Sequence, residues 1–166
     1  CRPSLVTLLT GLYPHQHGVH FNHPPPGFSR LTKSSEIDRV EFDRLRQQAV
    51  SLIRARPTLP RILAARGYRC FQTGKYWEGH WRNAGFTEGM TIAQPSGGRY
   101  GDKRLASGDL VAHGNGDHGL AIGRETMEPI ATFLDDVNQD PFFLWYAPFL
   151  PHTPHDSSEK FKRAVA

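Results

Sequence analysis

The feature that most restricts this chain is a short apolar run, Phe142-Phe143-Leu144-Trp145-Tyr146-Ala147, cut off by Asp140-Pro141 on one side and Pro148 on the other. Its length suits a strand and is too short for an ordinary helix. A half-solvated strand would alternate apolar and polar residues, so the unbroken run predicts a strand buried on both faces. Such strands belong to sheets whose faces are covered by helices, and parallel pairing needs a long crossover connection.

The rest of the sequence supplies helices of that kind. Residues 3–10 predict one, with Pro3 in its first turn and Gly11 just past its end. Leu5, Leu8, Leu9 and Leu12 recur at helical spacing and are expected to face a core, with Cys1 just before the N-terminus. Residues 13–28 are rich in His and Pro and read as an irregular surface loop. Residues 34–56 mix charge with Ile37, Leu45, Ala49, Leu52 and Ile53 and predict an amphipathic helix that Pro57 ends. Thr58 to Gly67 predicts a short helix with Leu59, Ile62 and Leu63 on one face. A strand follows over Tyr68 to Thr73, then Gly74-Lys75 at its end. Residues 93–121 form a long Gly-rich segment that reads as a functional or mobile loop. Glu125 to Val137 predicts a further amphipathic helix, with Ile130, Phe133, Leu134 and Val137 at helical spacing. Helix, strand, helix and strand with long insertions predict an α/β layered fold.

Composition narrows the function classes. The chain has 166 residues, of which 38% are hydrophobic, enough for a globular core. No apolar run approaches the length of a membrane span. The net charge of +4 comes from scattered Lys and Arg, with no nucleic-acid-binding signature. Two cysteines, Cys1 and Cys70, are too few for a disulfide framework, and Cys70 is expected to be buried and inert. His15, His17, His20 and His23 lack the partners and spacing of a metal site, although His15 and His17 could line the rim of a cleft. Tyr76, Trp77 and Trp81 are expected to pack in a core or lid, with stacking on a sugar ring as the alternative. Asp117 and His118 are candidates to reach a substrate from the Gly-rich segment.

In α/β sheets, ligands bind beyond the carboxyl ends of the strands. Lys75 and His152 fall there, the latter in the turn Pro151-His152-Thr153-Pro154.

Three segments carry a family resemblance. Cys1-Arg2-Pro3-Ser4-Leu5 through Thr10-Gly11 and Pro14 resembles the sulfatase signature, in which a Cys-x-Pro-Ser-Arg pentapeptide leads a helix ending in Thr-Gly. Thr58-Leu59-Pro60 through Gly67-Tyr68-Arg69 and Thr73-Gly74-Lys75 resembles the family's helix, strand and Gly-Lys turn. Pro141-Phe142-Phe143-Leu144 through Pro151-His152-Thr153-Pro154 resembles its buried strand and Pro-His-x-Pro turn.

The resemblance implies a partial alkaline-phosphatase-like α/β/α sandwich, with a mostly parallel or mixed central sheet and long loop insertions. It implies that residues 1–166 are part of a single N-terminal catalytic domain, truncated at both ends. It further implies a sulfuric ester hydrolase acting on a sulfated small molecule or glycan. Cys1 would be oxidised to formylglycine by a formylglycine-generating enzyme, and the hydrated aldehyde would be the nucleophile. A divalent cation, by analogy Ca2+, would be held by Cys1 as formylglycine together with ligands outside residues 1–166. Lys75 would bind sulfate and the diol, His152 would contact sulfate or the leaving oxygen, and His80 is a further substrate-binding candidate. Many members are exported, which points to the periplasm or the cell exterior.

Two positions depart from the family pattern. Leu5 stands where the pentapeptide has arginine, and Trp77 stands two residues after Lys75 where the family has histidine. They motivate one alternative, a non-catalytic sulfate- or glycan-binding relative; a phosphonate or phosphate ester hydrolase on the same scaffold is a second alternative.

Overall fold

The computed structural model describes residues 1–22, 39–92, 102–104, 110–112 and 118–152. Ile37, His23, Asp117, Thr153 and Pro154 lie outside them. The helices are α1 (Arg2–Thr10), α2 (Pro14–His17), α3 (Arg39–Ser51), α4 (Leu59–Ala64) and α5 (Glu128–Val137). Short 3-10 turns cover Leu52–Ala55, Trp81–Ala84 and His118–Ala121. The strands are β1 (Arg69–Gly74), β2 (Glu88–Gly89), β3 (Asp102–Arg104), β4 (Leu110–Ala112) and β5 (Phe142–Ala147).

A three-stranded parallel sheet runs in the order β2-β1-β5. β1 and β5 pair along their whole length, from Arg69 opposite Phe142 to Gly74 opposite Ala147. The α/β class predicted from the sequence is the class observed. Within the Gly-rich segment, β3 and β4 form a separate antiparallel pair, so that segment is not structureless throughout.

Alternation along β1 divides the core in two, because successive side chains point to opposite faces of a sheet. Cys70 joins Val6, Leu9, Val19, Ile53, Tyr76, Ala84, Phe86 and Trp145. Phe71 joins Ile122, Ile130, Phe133 and Val137 on the α5 side. The strand buried on both faces is therefore β1. β5 is an edge strand of the described sheet, and its Phe142 and Tyr146 are about half exposed, contrary to the expectation for the apolar run. The central strand carries Gln72 and Thr73, both fully buried and both satisfied. Gln72 Oε1 accepts from Thr91 N–H at 2.9 Å, and the Thr73 hydroxyl donates to the Trp145 carbonyl at 2.7 Å.

Several helical faces turn out rotated from the leucine pattern. α1 buries Arg2, Val6 and Leu9, while Leu8 is exposed. Arg2, Val6 and Leu9 follow the i, i+4, i+7 spacing, so the core stripe includes a charged residue that a hydrophobic count passes over. In α4, Pro60 is buried while Leu59 and Ile62 are exposed. In α5, Ile130, Phe133 and Val137 are buried and Leu134 is exposed. Residues 14–17 are helical rather than irregular, and His17 is completely buried instead of lining a rim.

Candidate active site

Cys1 is the N-cap of α1. Its carbonyl accepts the first helical bond from Leu5 N–H at 3.0 Å, while its side chain makes no capping bond. Asn22 supplies the cap instead, its Oδ1 accepting from Arg2 N–H at 2.8 Å. Cys1 is exposed at this helix start, where the Arg2 N–H is taken by Asn22 and Pro3 has none, so the helix dipole is what favours an anion nearby. Cys70 is the opposite case. It is buried, and burial pushes its thiol up to about 11, which makes it inert as expected.

Lys75 leaves the carboxyl end of β1. Its N–H donates to the Ala147 carbonyl at 2.6 Å, and its own carbonyl accepts from the Trp145 indole at 3.1 Å. Gly74 makes this turn possible. Its φ is +68°, and a Cβ there would collide with the Ala147 backbone carbonyl. His152 follows β5 at the same edge of the sheet. Its N–H donates to the Phe149 carbonyl at 3.1 Å, and its ring packs 5.0 Å from the Phe149 ring. Parallel pairing therefore brings the two candidate substrate-binding residues to one edge.

His80 is committed locally. Its Nδ1 accepts from Arg82 N–H at 3.2 Å, capping a 3-10 turn, and burial lowers its pKa. Tyr76 is buried in the core, and Trp81 lies between the Arg82 guanidinium, 4.4 Å from its ring, and His80. His118 opens a 3-10 turn and is exposed. His15 is exposed and stacks on Tyr13.

His17 fills a structural role. Val19 N–H donates to its Nδ1 at 3.0 Å, which places the proton on Nε2, 3.1 Å from Thr7 Oγ1. Desolvation, helped by the charges of His20, Arg56 and Arg2, lowers its pKa and keeps the ring neutral.

The residues that sequence reasoning missed are Arg2 and Glu78. Their side chains are almost fully buried and form a two-pronged ion pair, with Nε to Oε1 and Nη2 to Oε2 both at 2.7 Å. Arg2 Nη2 also donates to the Ala49 carbonyl at 2.8 Å. Burial raises the Glu78 pKa, and the Arg2 guanidinium offsets only part of that rise. The sequence carries only a faint local signal for them, and none that pairs the two. Each is a lone charge on an otherwise apolar stripe, Arg2 with Val6 and Leu9, Glu78 beside Tyr76 and Trp77.

A calcium site takes roughly six to eight oxygen ligands. Among the described residues, no group of three or more His, Cys, Asp and Glu side chains could hold a metal ion. These residues alone therefore do not fit a complete cation site. None of the described helices is long and apolar enough to cross a membrane.

No curated protein matches the chain. The crystal structure of Ps i-CgsB is similar in fold, with a TM-score of 0.52 and 21% sequence identity over 99% of this chain. The chain spans 37% of the length of that protein. The Sulfatase family model matches residues 1–166. With that match over its whole length, the chain belongs to the sulfatase family.

Proposed function

We propose that this chain carries the nucleophile end of a sulfuric ester hydrolase, within a single N-terminal catalytic domain, and that the substrate is a sulfated carbohydrate. The observation that carries the reading is Cys1 itself, an exposed side chain left uncapped at the start of α1. In this reading a maturation enzyme oxidises Cys1 to formylglycine, and one hydroxyl of the hydrated aldehyde is the attacking oxygen. The α1 N-terminus favours the sulfate anion beside it. Lys75 offsets charge on the sulfate oxygens, and His152 donates a proton to the leaving oxygen. The family generally uses a divalent cation as well, Ca2+ in this reading. The described residues do not complete a site for it, and Cys1 as formylglycine would be one of its ligands.

The test is the intact mass of the Cys1 peptide from the complete gene product, coexpressed with a formylglycine-generating enzyme. The expected mass is that of the aldehyde or its hydrate, accompanied by faster hydrolysis of an aryl sulfate than of an aryl phosphonate. An unmodified thiol, under conditions that convert a control sulfatase, would overturn the reading in favour of an anion-binding relative. A preference for the phosphonate would move the reaction class to phosphonate or phosphate esters.

A further inference from the structure

A buried ion pair joins the two segments on which the proposed chemistry depends. Arg2 is the residue after Cys1, and Glu78 is three residues after Lys75. We propose that Arg2 and Glu78 form a positioning pair that sets the spacing between Cys1 and Lys75. The proposal rests on the hydrolase reading for its kinetic consequence, while its geometric content stands apart from it.

Two observations and one energetic argument support it. The pair is two-pronged, so it fixes the orientation of the guanidinium plane as well as its distance. The segment from Lys75 to Glu78 is held at both ends. At one end Lys75 is tied through its N–H and carbonyl to Ala147 and Trp145. At the other, the Glu78 carbonyl accepts from Asn83 Nδ2 at 2.7 Å, and Asn83 Oδ1 accepts from Arg54 at 2.8 Å. Tyr76 is buried between these ties. With that turn fixed on the sheet, the Glu78 side chain is a link between it and the first residue of α1. Finally, stability is a poor reason to keep such a pair. Well-packed apolar residues of similar size often serve a core as well as a buried ion pair does, whereas a directional pair specifies one arrangement.

The experiment compares the complete gene product with its Arg2→Met/Glu78→Met variant, and with Glu78→Gln, which keeps the shape of the side chain. Thermal unfolding, kcat and KM on an aryl sulfate are read for each. The double variant is expected to unfold near the wild-type temperature and to lose about a hundredfold in kcat, the scale of a 1 Å misplacement, with KM little changed. Glu78→Gln is expected to lose less. A second readout needs no activity. In protein whose Cys1 is left as the thiol, o-phthalaldehyde joins a thiol to a neighbouring amine as a fluorescent isoindole, and Lys75→Met is the blank. The wild type is expected to give a Lys75-dependent signal that the double variant lacks. If the wild type hydrolyses no ester yet the cross-link follows this pattern, the hydrolase reading falls and the positioning pair stands. Wild-type kcat in the folded variants overturns the proposal, as does a cross-link unchanged by them.

Discussion

The two faces of β1 are held by different physics. On the α5 face, Phe71, Ile122, Ile130, Phe133 and Val137 pack as an apolar cluster, with the Phe71 and Phe133 rings stacked 4.8 Å apart. On the α1 face, a larger apolar cluster surrounds buried polar groups, namely Arg2 with Glu78 and His17 with Thr7. An apolar contact is non-directional and tolerates small shifts. A buried charge or ring nitrogen must meet its partner in one geometry. The candidate site lies on the second kind of face, where Cys1 and the turn after Lys75 are joined by the directional pair.

The sharpest way to break this comparison is to remove one anchor from each face. Arg2→Met leaves the Glu78 carboxylate buried without its cation, at a cost of about 3–5 kcal/mol. Phe133→Ala opens a cavity on the other face at a similar cost of about 3–5 kcal/mol. Their pH responses should differ. Burial holds the folded-state pKa of Glu78 above its unfolded value even with Arg2 present, and removing Arg2 takes away the group that lowers it. A raised carboxyl pKa means that the folded state binds more protons, so the variant regains stability as pH falls through that pKa. Denaturant unfolding at pH 8 and pH 5.5 should show the Arg2→Met deficit shrinking on acidification while the Phe133→Ala deficit stays constant. Equal pH responses would mean that Glu78 reaches water once Arg2 is gone, and that the α1 face is not specified by the pair.

The same contrast explains what was legible in the sequence. The ends of elements could be read because they depend on local chemistry. Gly11 adopts the left-handed conformation at the end of α1, Thr58 caps α4, and Gly74 turns the chain out of β1. The sheet edge bearing Lys75 and His152 was legible for the same reason. Which strand is central was not. A count of apolar residues favours β5, yet the central strand of the described sheet is β1, whose Gln72 and Thr73 are satisfied by Thr91 and Trp145, residues far away in sequence. The rotation of α1 was hidden similarly, since Arg2 belongs to the core only through Glu78, 76 positions on. Histidines clustered beside prolines read as a surface loop, while the hydrogen bonds that bury His17 come from Thr7 and Val19.

His17 gives a smaller and opposite pH effect on the same face. Its folded-state pKa lies below the ordinary imidazole value of 6.5. The unfolded chain therefore takes up the proton first as pH falls, and the folded state loses stability on acidification below about that value. Above it, the ring is neutral in both states and its contribution is fully present. His17→Leu strips Val19 N–H and Thr7 Oγ1 of their partner, at a cost of about 1–3 kcal/mol at pH 8. It should also flatten the acid limb of the stability profile between pH 7 and 5. If that limb keeps its wild-type slope in His17→Leu, the histidine is protonated in the folded protein and its buried tautomer is wrong.

The smallest effect sharpens the comparison by adding charge to the apolar face. Arg69 sits over the Phe133 ring at 5.3 Å and pairs with Glu88 at 2.8 Å and Asp136 at 2.8 Å. These are ion pairs too, but water reaches them, and Asp136 is largely exposed. Both carboxylates push the Arg69 pKa upward, yet the guanidinium is ionised at every accessible pH, so the shift adds no pH dependence near neutrality. Exposed pairs gain little from Coulomb attraction and are screened by salt. Arg69→Met keeps a side chain over Phe133 and removes only the charge. Its unfolding temperature should fall less than that of Arg2→Met, Phe133→Ala or His17→Leu, and the difference should shrink further in 1 M salt. Arg2→Met, whose pair is shielded from ions, should show a deficit that salt leaves unchanged. If salt moved both deficits equally, the two pairs would share one dielectric environment, and burial would no longer distinguish the face that carries the candidate site from the one that does not.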